Sequence, residues 1–241
     1  MRAVLLLAAN FVRQQRWLVL LLVVYAVAMA GILVCSDKQP PSTEDVTFFL
    51  RQQSLYAPLF SVFLAISAIH NERKSRRILA VMAKAITRSQ YLAGFVVGIF
   101  AIAAVYCLAI GVAGTWLAHS AHISSPYFWS IFWSMLGIVL IASALVSAVA
   151  LFFSTFLMPI FAAAATAASI AVPAVLAQTL GRAWGSLLPI YALLMQAWQS
   201  MPGRSGSADW PSLGIAAIET VIFWGLASWT FSGRDITTAL E

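Results

Sequence analysis

Few residues of this chain have side chains that could carry out chemistry on a substrate. Glu219 is the one clearly internal carboxylate of the apolar segments, and Cys107 is a single thiol within another apolar segment. An enzyme inside a membrane would need a nucleophile with a base, a pair of acids or a metal cluster within reach of one another. This set is too small to define a reaction class, so we expect no catalytic residue in this chain.

The chain also lacks a clear set of residues that would hold a metal ion or a nucleotide. His119 and His122 are three positions apart, a spacing that places two imidazoles on one helical turn. Two ligands without a nearby carboxylate or thiolate make a poor metal site, so we favour an ordinary pair at the membrane surface. The chain has no G-x-x-x-x-G-K-[ST] loop to cradle ATP phosphates. We therefore expect no metal and no cofactor in this chain.

The composition is that of an integral membrane protein. Of the 241 residues, 62% are hydrophobic and 9% are charged, whereas a soluble domain has about 25% charged residues. Apolar segments of about 20 residues joined by short connections account for most of this length. We expect one all-α membrane domain over residues 1–241, without a separate soluble domain.

Six apolar segments predict six transmembrane helices. Their predicted bounds are 17–34, 55–69, 91–117, 127–153, 160–180 and 213–231. The second segment is short for a bilayer, so we expect its helix to begin near Gln52 or to continue to Asn71. Pro58 would then lie near the start of that helix, where the missing N–H costs least.

The N-terminal segment 1–16 predicts an amphipathic elbow helix that lies in the cytoplasmic membrane interface. Phe11, Val12 and the leucines would face lipid, whereas Arg13 and Arg16 would meet lipid headgroups.

Three predicted connections lie on the other side of the membrane, at 36–54, 118–126 and 181–211. The last is not simply polar, because 187–198 is mostly apolar and contains Pro189. We expect outer-surface or re-entrant helices there, surrounded by protein rather than lipid.

Small residues mark two surfaces on which helices could pack closely. They are Gly94-x-x-x-Gly98 in the third span and the alanine-rich segment 162–168 in the fifth. Such surfaces serve packing within one chain and packing between two chains equally well.

The segment 70–94 is the one richly charged interior part of the chain, with six of the 14 Lys and Arg residues. Because Lys or Arg at a bilayer centre costs several kcal/mol, this segment must lie in water or against another protein. One interpretation is a basic loop that only sets topology, and the other is a cytoplasmic docking element.

The distribution of basic residues predicts the orientation. Ten lie on the side of the two termini: Arg2, Arg13, Arg16, Arg73, Lys74, Arg76, Arg77, Lys84, Arg88 and Arg234. Four lie on the other side: Lys38, Arg51, Arg182 and Arg204. The positive-inside rule then predicts a multi-pass protein of the cytoplasmic (inner) membrane with both termini in the cytoplasm. This topology accounts for the net charge of +6, so we expect no nucleic-acid partner.

The detailed order of residues in the charged segment resembles the segment between the second and third spans of type-2 ABC exporter permeases. The residues that fit this pattern are Glu72, Ile78, Leu79, Met82, Lys84, Ile86, Thr87, Arg88, Tyr91 and Gly94. The segment 231–235, Phe-Ser-Gly-Arg-Asp, resembles the aromatic-x-x-Arg-Asp ending of the same permeases. The elbow helix also fits this family.

The resemblance implies a six-span permease subunit of an ABC transporter that exports a substrate. A separate ATPase subunit, carrying ATP and Mg²⁺, would dock on a cytoplasmic coupling helix within 70–90. The docking residues would be Glu72, Arg73, Arg76, Arg77, Lys84 and Arg88. Glu72 would cap that helix or pair with a partner arginine. A second copy or a homologous permease would complete the transport path.

Glu219 has two interpretations, since an unpaired carboxylate in hydrocarbon is costly. It would snorkel to the outer interface or tie down the outer connection, or it would belong to the substrate path or outer gate. Thr220, Arg182 and Trp184 are its predicted hydrogen-bond donors. For the whole chain, the alternatives to a permease are a non-transporting structural subunit of a membrane complex and, less favoured, an intramembrane enzyme.

Overall fold

The computed structural model describes residues 2–35, 41–75, 87–179, 190, 193 and 210–232. These residues form seven α-helices and no strand. The helices are α1 (Arg2–Gln14), α2 (Arg16–Cys35), α3 (Thr43–Ser75), α4 (Arg88–Ser120), α5 (Pro126–Ser154), α6 (Pro159–Thr179) and α7 (Trp210–Ser232). The six helices α2 to α7 are long and apolar enough to cross a membrane. The expected all-helical chain with six apolar spans is confirmed over this part, and it indicates a multi-pass membrane protein.

Helix α3 is much longer than the sequence indicated. Its first turns, from Thr43, were predicted to be part of an outer loop, and Pro58 lies inside the helix rather than near its start. Ser42 caps the helix, because its hydroxyl accepts the Asp45 N–H at 3.3 Å while its own N–H donates to Asp45 Oδ2 at 2.7 Å. Val46, Phe49 and Leu50 are buried at the spacing of one helical face. This cap and this apolar stripe override the polar composition of the segment.

Three helices form the centre of the bundle and three lie at its edge. In the most apolar stretch of each helix, 67% of the residues are buried in α5 and 50% in each of α3 and α4, against 17% in α2 and 11% in each of α6 and α7. The most extensive contact between two helices joins α3 to α5. The end of the bundle that contains α1, the start of α6 and the end of α7 is called the terminal side below. The opposite end is called the far side.

Helix α1 packs on the glycine pair of α4. A Cβ at Gly94 would lie 2.7 Å from Leu7 Cβ, and a Cβ at Gly98 would lie 2.7 Å from Phe11 Cδ1. Phe11 is buried and meets Phe95 edge to face, with ring centroids 5.3 Å apart. The expectation that Phe11 faces lipid is therefore wrong, and the Gly-x-x-x-Gly surface serves packing within the chain.

The alanine-rich surface of α6 is largely uncovered. Ala162 and Thr166 are buried, whereas Phe161 is exposed and Ile160 is 81% exposed. The Thr166 hydroxyl donates to the Ala162 carbonyl at 2.7 Å, so even the polar group of this face is paired within its own helix. A single chain therefore leaves most of α6 to lipid or to another protein.

The connections that the structure describes are short. Residues 121–125 join α4 to α5, and residues 155–158 join α5 to α6. The predicted outer-surface or re-entrant helices of 181–211 lie outside the described residues, apart from the start of α7 and two buried helical residues, Ile190 and Leu193.

Candidate functional site

The predicted docking residues lie where α3 ends and α4 begins. Glu72 and Arg73 belong to the last turn of α3, and Arg88 is the first residue of α4. Only the backbone of these three residues is described. The remaining predicted docking residues lie outside the described part of the chain: Arg76, Arg77 and Lys84.

Thr87 fixes the start of α4. Its backbone is extended, with φ −70° and ψ 149°. The Gln90 N–H donates to the Thr87 hydroxyl at 3.3 Å, and the Thr87 N–H donates to Gln90 Oε1 at 3.4 Å. This reciprocal capping box satisfies two backbone donors at the helix end. The connection between α3 and α4 therefore enters α4 through a defined cap.

Glu72 lies within the last turn of α3, and residues 76–86 lie outside the described part of the chain. Its two predicted roles, as a helix cap or as the partner of an arginine on another subunit, therefore stay predictions.

The aromatic residues of the two segments that resemble the permease family belong to one core cluster on the terminal side. Tyr91 and Phe231 are both buried in this cluster, together with Phe11 and Ile69. Tyr91 meets Phe95 edge to face at 4.9 Å. The fold therefore joins the N-terminal helix, the end of α3, the start of α4 and the end of α7 into one packed unit beside the predicted docking segment.

Glu219 lies close to the middle of α7, about 14 Å along the helix from Trp210. Its side chain is half-buried, and Oε2 is buried without a hydrogen-bond partner among the described residues. Thr220, one of its predicted donors, instead donates to the Ala216 carbonyl at 2.7 Å. The other two predicted donors lie outside the described residues: Arg182 and Trp184.

Buried hydroxyl groups of α5 lie at about the same level along the bundle as Glu219 of α7. The Thr155 and Thr230 hydroxyls are 3.0 Å apart, and the two helices run in the same direction. Counting back equally along both helices from this pair sets Glu219 at about the level of Ser143 and Ser147. Both serines are buried, and both hydroxyls donate to carbonyls of α5, at 2.7 and 2.8 Å.

A group of amide and phenol side chains that the sequence did not single out lies between α2, α3 and α4. This Gln–Tyr cluster consists of Tyr25, Gln52, Gln53, Tyr56, Phe60 and Tyr106. Gln53 is fully buried, and Tyr106 donates its hydroxyl to Gln53 Oε1 at 2.5 Å. The Gln52 Nε2 group donates to the Tyr56 hydroxyl at 3.3 Å. Gln52 thus bonds to a phenol of its own helix, whereas Gln53 bonds to a phenol of α4.

The rings of the cluster form a continuous chain from α2 to α4. Tyr25 and Tyr56 pack edge to face at 5.5 Å, and Phe60 lies 6.4 Å from Tyr56 and 6.3 Å from Tyr106. Gln53 and Tyr106 are buried, whereas Tyr25, Tyr56 and Phe60 are partly exposed. The cluster therefore extends from the interior of the bundle to its surface.

The sequence contained one signal for this cluster, the pair of amides directly before the second apolar segment. The segment 36–54 was predicted to be an outer loop, and the second helix was expected to begin no earlier than about Gln52. The recognition that 43–54 is helical would have placed both amides inside the bundle. The partner Tyr106 is 53 positions away from Gln53, and no local pattern relates the two residues.

The remaining candidate metal ligands and reactive side chains of the sequence do not form a site together. His119 and His122 are both exposed at the far side, and Cys35 is exposed at the end of α2 while Cys107 is buried in α4. Within the described residues, His, Cys, Asp and Glu side chains form no group of three that could hold a metal ion.

Comparison with protein-family models gives no match, and comparison with curated proteins gives no significant match either.

Proposed function

We propose that this chain is the transmembrane permease subunit of an ATP-driven exporter, powered by a separate ATPase subunit that docks on the segment 72–88. The observation that carries the proposal is the pattern of this segment, which resembles the coupling segment of type-2 ABC permeases. Six helices long and apolar enough to span a membrane support it. A second copy or a homologous permease completes the path, and both termini are cytoplasmic.

The position of the segment suits a mechanical role. It joins α3 to α4, which are the longest helices of the described chain, each with 33 residues. Both helices pack against α5 at the centre of the bundle. A partner that moves the segment would therefore move two central helices. Since α1 is seated on α4 through Gly94 and Gly98, it would move with them.

The proposal assigns the docking contacts to the carboxylate of Glu72 and to the basic side chains of the segment. Those basic residues are Arg73, Arg76, Arg77, Lys84 and Arg88. Glu219 then has the role of a residue in the substrate path or outer gate, or of a tether for the outer connection. Its Oε2 atom, which is buried and has no hydrogen-bond partner in the described ranges, is compatible with either role.

Charge reversal at the docking segment tests the proposal. The complex purified from its own membrane should contain an ATPase subunit, and Arg76→Glu with Arg77→Glu should release that subunit or reduce ATP hydrolysis to the rate of the free ATPase. The matched control is Lys38→Glu with Arg204→Glu, which changes the net charge equally on the opposite side. Unchanged co-purification and unchanged substrate-stimulated hydrolysis in the Arg76 and Arg77 variant would refute the docking role.

A second candidate function is a structural subunit of a membrane complex that transports nothing. The observation that favours it is the exposed alanine-rich face of α6, where Phe161 and Ile160 are uncovered. A structural subunit would co-purify with other membrane proteins but with no ATPase. Substrate-stimulated ATP hydrolysis by the purified complex would exclude this function.

A further inference from the structure

We propose that the Gln–Tyr cluster is a binding site for a neutral, membrane-dissolved molecule whose polar group is an amide or a hydroxyl. In taking this molecule to be the exported substrate, the inference rests on the proposed function. The site itself follows from contacts within the chain.

The polar groups of the cluster are incompletely paired. Within the described part of the chain, the Gln53 Nε2 group is buried without a hydrogen-bond partner, and the same holds for the Gln52 Oε1 atom. Rotating the Gln53 amide would only exchange the atom that Tyr106 contacts, so one polar atom of this amide stays unpaired in either orientation. A buried unpaired donor or acceptor is costly in a dry interior. A ligand that carries both an acceptor and a donor would supply hydrogen-bond partners for both of these atoms.

The chemistry of the lining favours a neutral ligand. The polar side chains of the cluster are amides and phenols, none of which is ionised at neutral pH. The neighbouring Arg51 is exposed. An ion bound here would lose its hydration without meeting an opposite charge. An amide group is the best complement, because it provides a carbonyl for the Gln53 N–H and an N–H for the Gln52 carbonyl.

The depth of the cluster indicates that the ligand comes from the membrane. Tyr106 lies about 22 Å along α4 from Tyr91, and Gln53 lies about 25 Å along α3 from His70. Since the hydrocarbon core is about 30 Å thick, the cluster lies within its far-side half. The aromatic rings of Tyr25 and Phe60 would contact the apolar body of the ligand.

The seam between α2 and α3 provides the access. Helix α2 packs far more extensively on α4 than on α3. Tyr25 and Tyr56 fill the seam and are partly exposed. A molecule dissolved in the bilayer therefore meets these two rings first and the buried Gln53 amide last.

Three probes with alkyl chains of similar length test the proposal in lipid nanodiscs: decanamide, decyltrimethylammonium and decanesulfonate. At a bilayer concentration several times the dissociation constant, decanamide should raise the unfolding temperature of the wild-type protein by about 2–4 °C. The two charged probes should cause no comparable rise. A rise with a charged probe that equals the rise with decanamide would overturn the neutral-ligand proposal.

Paired substitutions show whether the rise comes from the cluster. Gln53→Leu with Tyr106→Phe removes both members of the buried hydrogen bond and should abolish the rise with decanamide. The matched control is Thr155→Val with Thr230→Val, which removes a hydroxyl pair between α5 and α7 and should keep the rise. The same rise in both double variants would refute the site, and no rise in the wild-type protein would leave the cluster as a packing element that holds at most water.

Gln52→Leu provides a second test if the double variant does not fold. This residue lies at the partly exposed side of the cluster, and its loss should at least halve the rise with decanamide. If decanamide raises the unfolding temperature of Gln52→Leu as much as that of the wild-type protein, the Gln52 amide is not part of the site. The failures of the two proposals are distinguishable, because loss of ATPase docking leaves the probe result intact, whereas absence of probe binding leaves ATPase docking intact.

Discussion

Two polar regions of this bundle satisfy their hydrogen bonds in different ways. Along α5 and α7, the buried hydroxyl of Ser143 and the partly buried hydroxyl of Thr220 each donate to a carbonyl four residues earlier in the same helix, at 2.7 Å. Between α3 and α4, Gln53 and Tyr106 depend on each other across 53 positions of sequence. The second region also keeps buried polar atoms that have no hydrogen-bond partner among the residues that the structure describes.

The difference follows from side-chain length. A Ser or Thr hydroxyl reaches the carbonyl of the preceding turn and is thus satisfied wherever its helix is placed. A glutamine has two donor hydrogens and a carbonyl at the end of a longer side chain, so it needs partners from another helix or from a ligand. Buried hydroxyls in this protein are therefore weak indicators of function, whereas buried amides are strong ones.

The largest expected effect is an all-or-none labelling result that determines which half of the membrane each of the two regions occupies. Cys35 is exposed at the end of α2, and Cys107 is buried. An impermeant maleimide should label the wild-type protein in intact cells, and Cys35→Ala should abolish labelling. In that background, Ser124→Cys should restore labelling from outside and Ser89→Cys should not. Labelling of the Ser89 variant alone would invert the topology and move the Gln–Tyr cluster into the cytoplasmic half of the membrane.

The next largest effect concerns Gln53. Its replacement by leucine leaves the buried Tyr106 hydroxyl without an acceptor, which should lower the free energy of unfolding by about 1–3 kcal/mol. Adding Tyr106→Phe should restore most of that loss, because no polar group then lacks a partner. Unfolding in lipid–detergent bicelles measures both variants. If the double variant is as unstable as the single variant, the hydrogen bond is not what stabilises this contact.

Substitutions of Glu219 distinguish its two proposed roles, one in the substrate path or outer gate and one as a tether. In a path or gate role, Glu219→Leu and Glu219→Gln should both fold and assemble while transport fails, with some activity left in the glutamine variant. In a tether role, the leucine variant should lose about 1–2 kcal/mol of stability and the glutamine variant should be nearly normal. Transport and melting temperature at wild-type values in both variants would eliminate both roles.

The smallest effect is expected at Ser143. Its hydroxyl is buried but bonds only to its own helix, so Ser143→Ala removes the donor and leaves the carbonyl in its helical hydrogen bond. The free energy of unfolding should change by less than about 0.5 kcal/mol. A loss as large as that of Gln53→Leu would show that the hydroxyl takes part in an interaction with α7, and the contrast between the two regions would then disappear.

The sequence alone determined the number and approximate position of the spans, because apolar length is a local property of the chain. The predicted 91–117, 127–153 and 160–180 lie within or nearly within α4, α5 and α6. The sequence did not distinguish central helices from peripheral ones, since the peripheral helix α2 is at least as apolar as the central helix α5.

Only the tertiary structure decided which surfaces meet. The sequence left the Gly94 and Gly98 surface open to a partner within or outside the chain, and the structure fills it with α1. The sequence assigned Phe11 to lipid, and the structure buries it against Phe95. It offered no partner for Gln53, whose acceptor is engaged by Tyr106 from another helix. Each of these outcomes depends on the contact of segments far apart in the chain, and periodicity reports only which faces are apolar and not which helix covers them.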